Sequence, residues 1–188
     1  MRVAFLLFDG LTTLDFVGCY DPLTRLKTMG FIPDLSWELC ARTPEVTDDR
    51  GLRMAATRVG GSLAGYDLLV APGGFGTRPL KDDPAFVGWL ATAGDAPLKA
   101  SVCTGALLFG AAGWLRGRRA TTHPNAYDLL RPYCAEVVTD ARVVDEGPVV
   151  TARGVTAALD LGLHLCARLA GAEAVARIRA QMDYPYGA

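Results

Sequence analysis

Short apolar runs alternate with longer segments of helical periodicity along the 188-residue chain. Residues 2–8 form an almost continuous apolar run that stops at Asp9-Gly10, which is typical of a strand buried on both faces of a parallel sheet. Residues 16–29 follow with apolar positions at helical spacing and stop at Gly30. The same reasoning predicts further strands at 35–41, 66–71, 98–102 and 119–122. This alternation predicts right-handed crossovers and a three-layer α/β/α sandwich around a mainly parallel sheet.

Turn and capping residues mark the remaining elements. Asp83-Pro84 predicts the start of a helix over 84–93, with Asp as the N-cap and Pro at the first helical position. Asp48-Asp49-Arg50-Gly51 and Glu146-Gly147 each predict a hairpin turn. Further helices are predicted at 124–130, 155–169 and 172–181. No linker or repeat interrupts the sequence, so we expect one domain over residues 1–188.

Charge and composition narrow the classes of partner. The formal net charge is −1 at pH 7 and no basic run occurs, which argues against nucleic acid and anionic membrane surfaces as partners. The apolar run Val3–Phe8 is too short for a signal-peptide core or a membrane span. We therefore expect a soluble, cytoplasmic protein that acts on a small-molecule substrate.

The cysteines and histidines are scattered along the chain, as Cys19, Cys40, Cys103, Cys134, Cys166, His123 and His164. An odd number of cysteines without C-x-x-C spacing favours neither a disulfide framework nor a zinc site. Because only two histidines are present, we expect no metal centre.

Cys103 has an unusual position in this pattern. The strand pattern 98–102 stops at Cys103, and a helix pattern begins at once with Thr104-Gly105. Such a turn exposes the side chain at the carboxyl edge of the sheet, beside the free N–H groups and positive potential of a helix N-terminus. That environment lowers a thiol pKa, so Cys103 is the candidate nucleophile. The alternative is a buried, inert cysteine.

Two other loops reach the same edge of the sheet. Pro72-Gly73-Gly74 follows the third predicted strand, and the Gly74 N–H with an N–H after Cys103 is predicted to form an oxyanion-type hole. The alternative is a purely structural turn. Asp15 follows the first strand, and it is either a helix N-cap or a carboxylic acid that exchanges a proton with the thiol.

The order of these motifs resembles that of the PfpI/ThiJ superfamily of class I glutamine amidotransferase-like proteins. The resemblance rests on Leu14-Asp15, Pro72-Gly73-Gly74, Ser101-Val102-Cys103-Thr104-Gly105, Arg119-Ala120-Thr121-Thr122-His123 and Gly154-Val155-Thr156-Ala157-Ala158-Leu159-Asp160. It covers nearly the whole chain and implies a flavodoxin-like sheet with Cys103 at a nucleophile elbow. Within the superfamily, the aspartate after the first strand and the Cys-Thr pair resemble those of isocyanide hydratases.

This resemblance implies a reaction and its residues. Isocyanide hydratases add water to an isocyanide through a cysteine-bound thioimidate and release an N-substituted formamide, without a cofactor. Carried over, Cys103 is the nucleophile, Asp15 is the acid/base group hydrogen-bonded to it, and Thr104 is a residue near the substrate. Gly73, Gly74 and His123 are expected at the substrate.

The resemblance also implies a homodimer. The apolar face of the N-terminal helix around Phe16, Val17 and Tyr20 is the expected contact surface beside the substrate pocket. An apolar helix face more often serves its own core, which is the alternative here.

Departures from the superfamily pattern leave other interpretations open. A peptidase branch has histidine directly after the nucleophile, where this chain has Thr104, which argues against a Cys-His peptidase dyad. His123 either contributes to chemistry or holds its loop, and Arg153 either reshapes the pocket or binds an acidic substrate. A regulator's sensor module is disfavoured because no helix-turn-helix pattern precedes Ala188. A redox or stress-sensing domain and a glyoxalase or deglycase-type thiol enzyme remain alternatives.

Overall fold

The apolar runs form the strands of a central sheet in a computed structural model that describes residues 1–186. Within these residues the strands are β1 Arg2–Leu6, β2 Ser36–Ala41, β3 Glu45–Thr47, β4 Arg53–Ala55, β5 Arg58–Val59, β6 Leu68–Ala71, β7 Leu98–Val102, β8 Arg119–Ala120, β9 Glu136–Val137, β10 Val143–Asp145 and β11 Val149–Ala152. The α-helices are α1 Thr13–Thr28, α2 Thr77–Leu80, α3 Pro84–Ala91, α4 Gly105–Ala111, α5 Tyr127–Leu130 and α6 Ala157–Gln181. All of β6 and β7 is buried, as expected of strands covered on both faces.

The central sheet has the order β10-β11-β7-β6-β1-β2-β5. Its neighbouring strands pair in parallel, except that β10 is antiparallel to β11. The inner order β2-β1-β6-β7-β11 is the flavodoxin-like arrangement, so the predicted fold class is confirmed. The chain leaves β1 toward one edge of the sheet and returns to pair β6 on its other side. Ligand sites in such sheets lie beyond the carboxyl ends of the strands at this reversal.

Helices α1 and α6 pack together on one face of the sheet, and right-handed crossovers place α3 and α4 on the other. Small residues allow the close approach of α1 and α6. A Cβ at Gly18 would lie 2.6 Å from Ala158 Cβ, and one at Gly162 would lie 2.9 Å from the Gly18 carbonyl. This packing fixes the first turn of α1, which carries Asp15, against the sheet.

Several predicted boundaries are confirmed, and one strand lies elsewhere than expected. Strands β3 and β4 form the hairpin around Asp48–Gly51, and β10 and β11 form the second hairpin. Helix α6 is interrupted at Gly171, whose φ of 86° separates the two predicted helices. Strand β8 pairs with β9 in a small separate sheet. Among residues 1–186, no helix is both long and apolar enough to cross a membrane.

Candidate active site

Cys103 forms an abrupt turn between β7 and α4. Its φ is 55°, in the left-handed region that residues other than glycine seldom adopt. The Cys103 N–H donates to the Ala152 carbonyl at 3.0 Å, and the Thr122 hydroxyl donates to the Cys103 carbonyl at 2.7 Å. Strained conformations of this kind persist only where the surrounding structure holds them. Bonds from two neighbouring segments therefore hold the predicted nucleophile elbow in place.

Gly73 lies between the two candidate catalytic side chains. A Cβ at this position would lie 2.6 Å from Cys103 Cβ, 2.6 Å from the Thr104 nitrogen and 2.8 Å from Asp15 Oδ2. These distances are too short for any side chain, so only glycine lets the loop after β6 pass here. Glycine at position 73 is thus required by the packing of the site.

Asp15 is completely buried in the first turn of α1. Its Oδ2 accepts a hydrogen bond from the Gly73 N–H at 2.9 Å, and the helix has no side-chain capping bond. Its Oδ1 is buried without a hydrogen-bond partner within residues 1–186. The N-cap alternative is therefore wrong, because the carboxyl binds a loop from another strand.

The surroundings of Asp15 favour its protonated form. Burial raises the pKa of the Asp15 carboxyl from 3.8 to about 7, although the hydrogen bond from Gly73 and the Cys103 side chain act in the opposite direction. The negative charge of Asp49 raises the pKa further. Asp15 can consequently both accept and donate a proton near neutral pH.

The Cys103 thiol differs from its predicted state. Burial and the charge of Asp15 raise the pKa of the thiol to about 12, although the Thr104 N–H lowers it. The prediction of a lowered thiol pKa is wrong because desolvation and the neighbouring carboxylate outweigh the helix N-terminus. Deprotonation of Cys103 near neutral pH therefore requires a base, and Asp15 is the adjacent one.

Thr104 is bound to the glycine loop. Its hydroxyl accepts from the Gly74 N–H at 3.0 Å and donates to the Gly74 carbonyl at 3.0 Å. The Gly74 N–H, which was predicted to belong to an oxyanion-type hole, is bound to the Thr104 hydroxyl in this structure. Thr104 fixes the loop beside Cys103, and both Gly74 and Thr104 line the cavity next to the thiol.

A cavity of about 230 Å³ opens next to Cys103. His123 lines it, and His123 Nδ1 accepts from the Asn125 N–H at 3.2 Å. A Cβ at Gly154 would lie 2.3 Å from the His123 ring, so this glycine makes room for the histidine. The structure thus places Cys103, Thr104, Gly74 and His123 at one cavity, while Asp15 and Gly73 lie directly behind the thiol.

Sequence reasoning missed several residues that line the same cavity, namely Thr12, Asp49, Arg50, Phe75, Arg78 and Asn125. They come from the loop after β1, the hairpin turn, the loop after β6 and the segment after His123. Only Thr12, Phe75 and Asn125 stand within two residues of a sequence motif of the predicted site, so only their proximity to the site was visible in the sequence. Arg153 is absent from the described cavity lining, and its carbonyl accepts from the Cys103 N–H at 3.2 Å.

The α1 surface differs in part from the predicted contact surface. Phe16 is only 7% exposed and packs against Phe5 with ring centroids 5.8 Å apart. Tyr20 packs edge-on against Trp37 and is half-buried. Phe16 therefore belongs to the core, whereas Val17, at 37% exposure, lies on the surface.

Comparisons with known proteins extend these observations. A family profile described as the DJ-1/PfpI family matches residues 1–168. The chain is similar to an isonitrile hydratase of Pseudomonas putida, at 36% identity over 98% of this chain and 78% of the relative. It is also 31% identical to the HTH-type transcriptional regulator CdhR of Pseudomonas aeruginosa, over 94% of this chain and 53% of the regulator. The crystal structure of a ThiJ/PfpI family protein from Pseudomonas syringae superposes with a TM-score of 0.88 at 31% identity, covering 100% of this chain and 76% of that protein.

Proposed function

Since this chain belongs to the DJ-1/PfpI family, we propose that it is an enzyme that hydrates small isocyanides to N-substituted formamides, with Cys103 as nucleophile. The observation that carries the proposal is the buried pair of Cys103 and Asp15. The pKa of the thiol is raised to about 12, and the pKa of the carboxyl is about 7, so the carboxyl can take and return one proton. The similarity to isonitrile hydratase over nearly the whole chain supports this chemistry.

The first step joins the thiol to the isocyanide. Asp15 accepts the Cys103 thiol proton while the sulfur forms a bond to the terminal isocyanide carbon. Asp15 then delivers the same proton to that carbon. The product is a thioimidate, R–N=CH–S–Cys103, and Asp15 is again a carboxylate. Gly73 permits this transfer because it lets the two side chains approach.

The second step releases the formamide. Water adds its oxygen to the thioimidate carbon, while one of its protons passes through Asp15 to the substrate nitrogen. The C–S bond of this tetrahedral species then breaks, and the remaining hydroxyl proton returns through Asp15 to the sulfur. The products are R–NH–CHO and the Cys103 thiol, so no net proton is gained or lost.

The experiment that tests the proposal is direct. Purified protein is incubated with cyclohexyl isocyanide, and the formamide is measured by NMR against Cys103→Ser as the matched control. Asp15 accepts a proton only as a carboxylate, so the reactive form of the pair has Asp15 ionised and the Cys103 thiol protonated. Because the pKa of Asp15 is about 7, kcat/KM should rise with pH up to about 7 and then level off. Absence of formamide with the wild-type protein, from this isocyanide and from one that carries a carboxylate, would refute the proposed function.

The alternative functions make different predictions. Oxidation by peroxide requires the thiolate, and the raised pKa of Cys103 does not favour it near neutral pH. A glyoxalase or deglycase-type enzyme would consume methylglyoxal or its adducts at the same cysteine. Running methylglyoxal and peroxide beside the isocyanide therefore separates the three thiol chemistries on one preparation.

We also propose that the protein forms a homodimer through α1. Leu14 and Val17 expose 39% and 37% of their surface on this helix, in the same turns that hold Asp15. Apolar side chains that adjoin on a surface favour association with a partner. Mass measurement in solution tests this proposal.

A further inference from the structure

Two guanidinium groups line the cavity beside Cys103. Arg50 belongs to the turn of the β3–β4 hairpin, and Arg78 belongs to the short helix α2 after the glycine loop. One carboxylate, Asp49, lines the same cavity. The side chains at the cavity wall therefore carry more positive than negative charge.

The two arginines differ in their partners. Arg50 lies 3.9 Å from Asp49 Oδ1, so a carboxylate of the protein already balances part of its charge. Arg78 makes no ion pair and no side-chain hydrogen bond within the described part of the chain. Its guanidinium lies over the Phe75 ring, 4.8 Å from the centroid. Phe75 holds the guanidinium in place while leaving its N–H donors without acceptors.

We infer that Arg78 recognises an anionic group, such as a carboxylate, on the small molecule that reacts with Cys103. That this small molecule is an isocyanide rests on the proposed function. The preference of Cys103 for anionic over neutral reagents can be tested independently of that function. A planar guanidinium binds a carboxylate through paired hydrogen bonds, which a neutral substrate cannot replace. The cavity of about 230 Å³ is below the roughly 300–1,000 Å³ of drug-sized ligand sites, so the ligand is small.

The negative groups around the cavity set the orientation of this ligand. Asp15 lies behind the thiol, and Asp49 is held by a 2.8 Å hydrogen bond from the Thr12 hydroxyl. A second carboxylate next to Asp15 would be repelled. The reacting carbon must therefore face Cys103, with the anionic group directed toward Arg78.

The first test uses two thiol reagents of nearly the same shape. Iodoacetate is anionic and iodoacetamide is neutral, and alkylation of Cys103 by each is followed by peptide mass spectrometry. Arg78→Gln should lower the ratio of the iodoacetate rate to the iodoacetamide rate by about fivefold or more, because the charge that attracts the anion is lost. Arg78→Lys should keep most of the ratio. Arg53→Gln, which removes an equal charge from the β3–β4 hairpin at a position outside the cavity lining, should leave the ratio unchanged.

The second test uses substrates. The wild-type protein should hydrate 3-isocyanopropanoate with a higher kcat/KM than its neutral amide. Arg78→Gln should lower the ratio of these two kcat/KM values by about tenfold to hundredfold, mainly by raising the KM of the anionic substrate. An unchanged alkylation ratio in Arg78→Gln, or an equal kcat/KM for both substrates in the wild type, would overturn the inference. A changed ratio without hydration of any isocyanide would retain the anion site and refute only the proposed function.

Discussion

Replacing Asp15 by asparagine should abolish turnover and at the same time stabilise the fold above pH 7. The amide keeps the shape of the carboxyl and can accept the Gly73 hydrogen bond, but it transfers no proton. It also removes a charge that the structure buries completely. Loss of activity with a gain in stability is the behaviour expected of a functional group held at a cost to the fold.

The magnitude follows from the pKa of Asp15. At pH values below 3.8 both the folded and the unfolded chain hold the proton, and the carboxyl costs nothing. Between about pH 4 and about pH 7 the unfolded chain ionises first, so stability falls as the pH rises. Above pH 7 the full penalty is present, and a rise in pKa from 3.8 to about 7 corresponds to about 4 kcal/mol at about 1.4 kcal/mol per pKa unit. The Asp15→Asn gain should approach this value at pH 8 and vanish at pH 4.

The assay is urea unfolding at pH 4, 6 and 8, with formamide production measured on the same preparations. A gain of about 2–4 kcal/mol at pH 8 corresponds to a Tm increase of roughly 4–16 °C for a chain of this size. Asp48→Asn is a control in which the free energy of unfolding should change in the opposite direction. The Thr13 hydroxyl and backbone N–H groups stabilise the Asp48 carboxylate and lower its pKa. That variant should lose stability at pH 8. If Asp15→Asn has the same stability as the wild type at pH 8, or hydrates isocyanide as fast, the account of this carboxyl is wrong.

The remaining predictions concern the elbow and the α1 surface. Cys103→Ser should fold normally by circular dichroism and produce no formamide, because a hydroxyl is a far weaker nucleophile in this site. Thr104→Val should destabilise the protein by about 1–3 kcal/mol in urea unfolding, since it leaves the buried Gly74 N–H without its acceptor, and Thr104→Ser should restore the loss. Gly73→Ala should abolish turnover in the formamide assay, because its Cβ would overlap Cys103 and the Thr104 nitrogen. Light scattering should show a dimer for the wild type and a monomer for Val17→Asp, and a monomeric wild type would contradict the proposed interface.

Local signals were sufficient for most of the secondary structure and for the position of the nucleophile. The Asp83-Pro84 start is confirmed by the hydrogen bond from the Ala85 N–H to the Asp83 side chain, at 2.8 Å. The hairpin turns and the break at Gly171 were predicted for the same reason, since turn and cap preferences depend on a few adjacent residues. Alternating strand and helix patterns predicted a mainly parallel sheet in a three-layer sandwich, because crossovers are right-handed, and the family resemblance implied its flavodoxin-like arrangement.

The sequence by itself therefore determined the order of elements, the mainly parallel sheet between two helical layers and the place of Cys103 at a strand end. Only the tertiary structure decided the protonation of the site, because desolvation and charge act through space between residues far apart in the chain. Asp15 and Cys103 are separated by 88 positions but shift each other's pKa, which reverses the expectation for the thiol. The same is true of Arg78, whose place at the cavity next to Cys103 depends on how the segment after β6 packs. The type of each side chain can be read from the sequence. Its burial and its neighbouring charges, which shift its pKa, depend on how the chain packs.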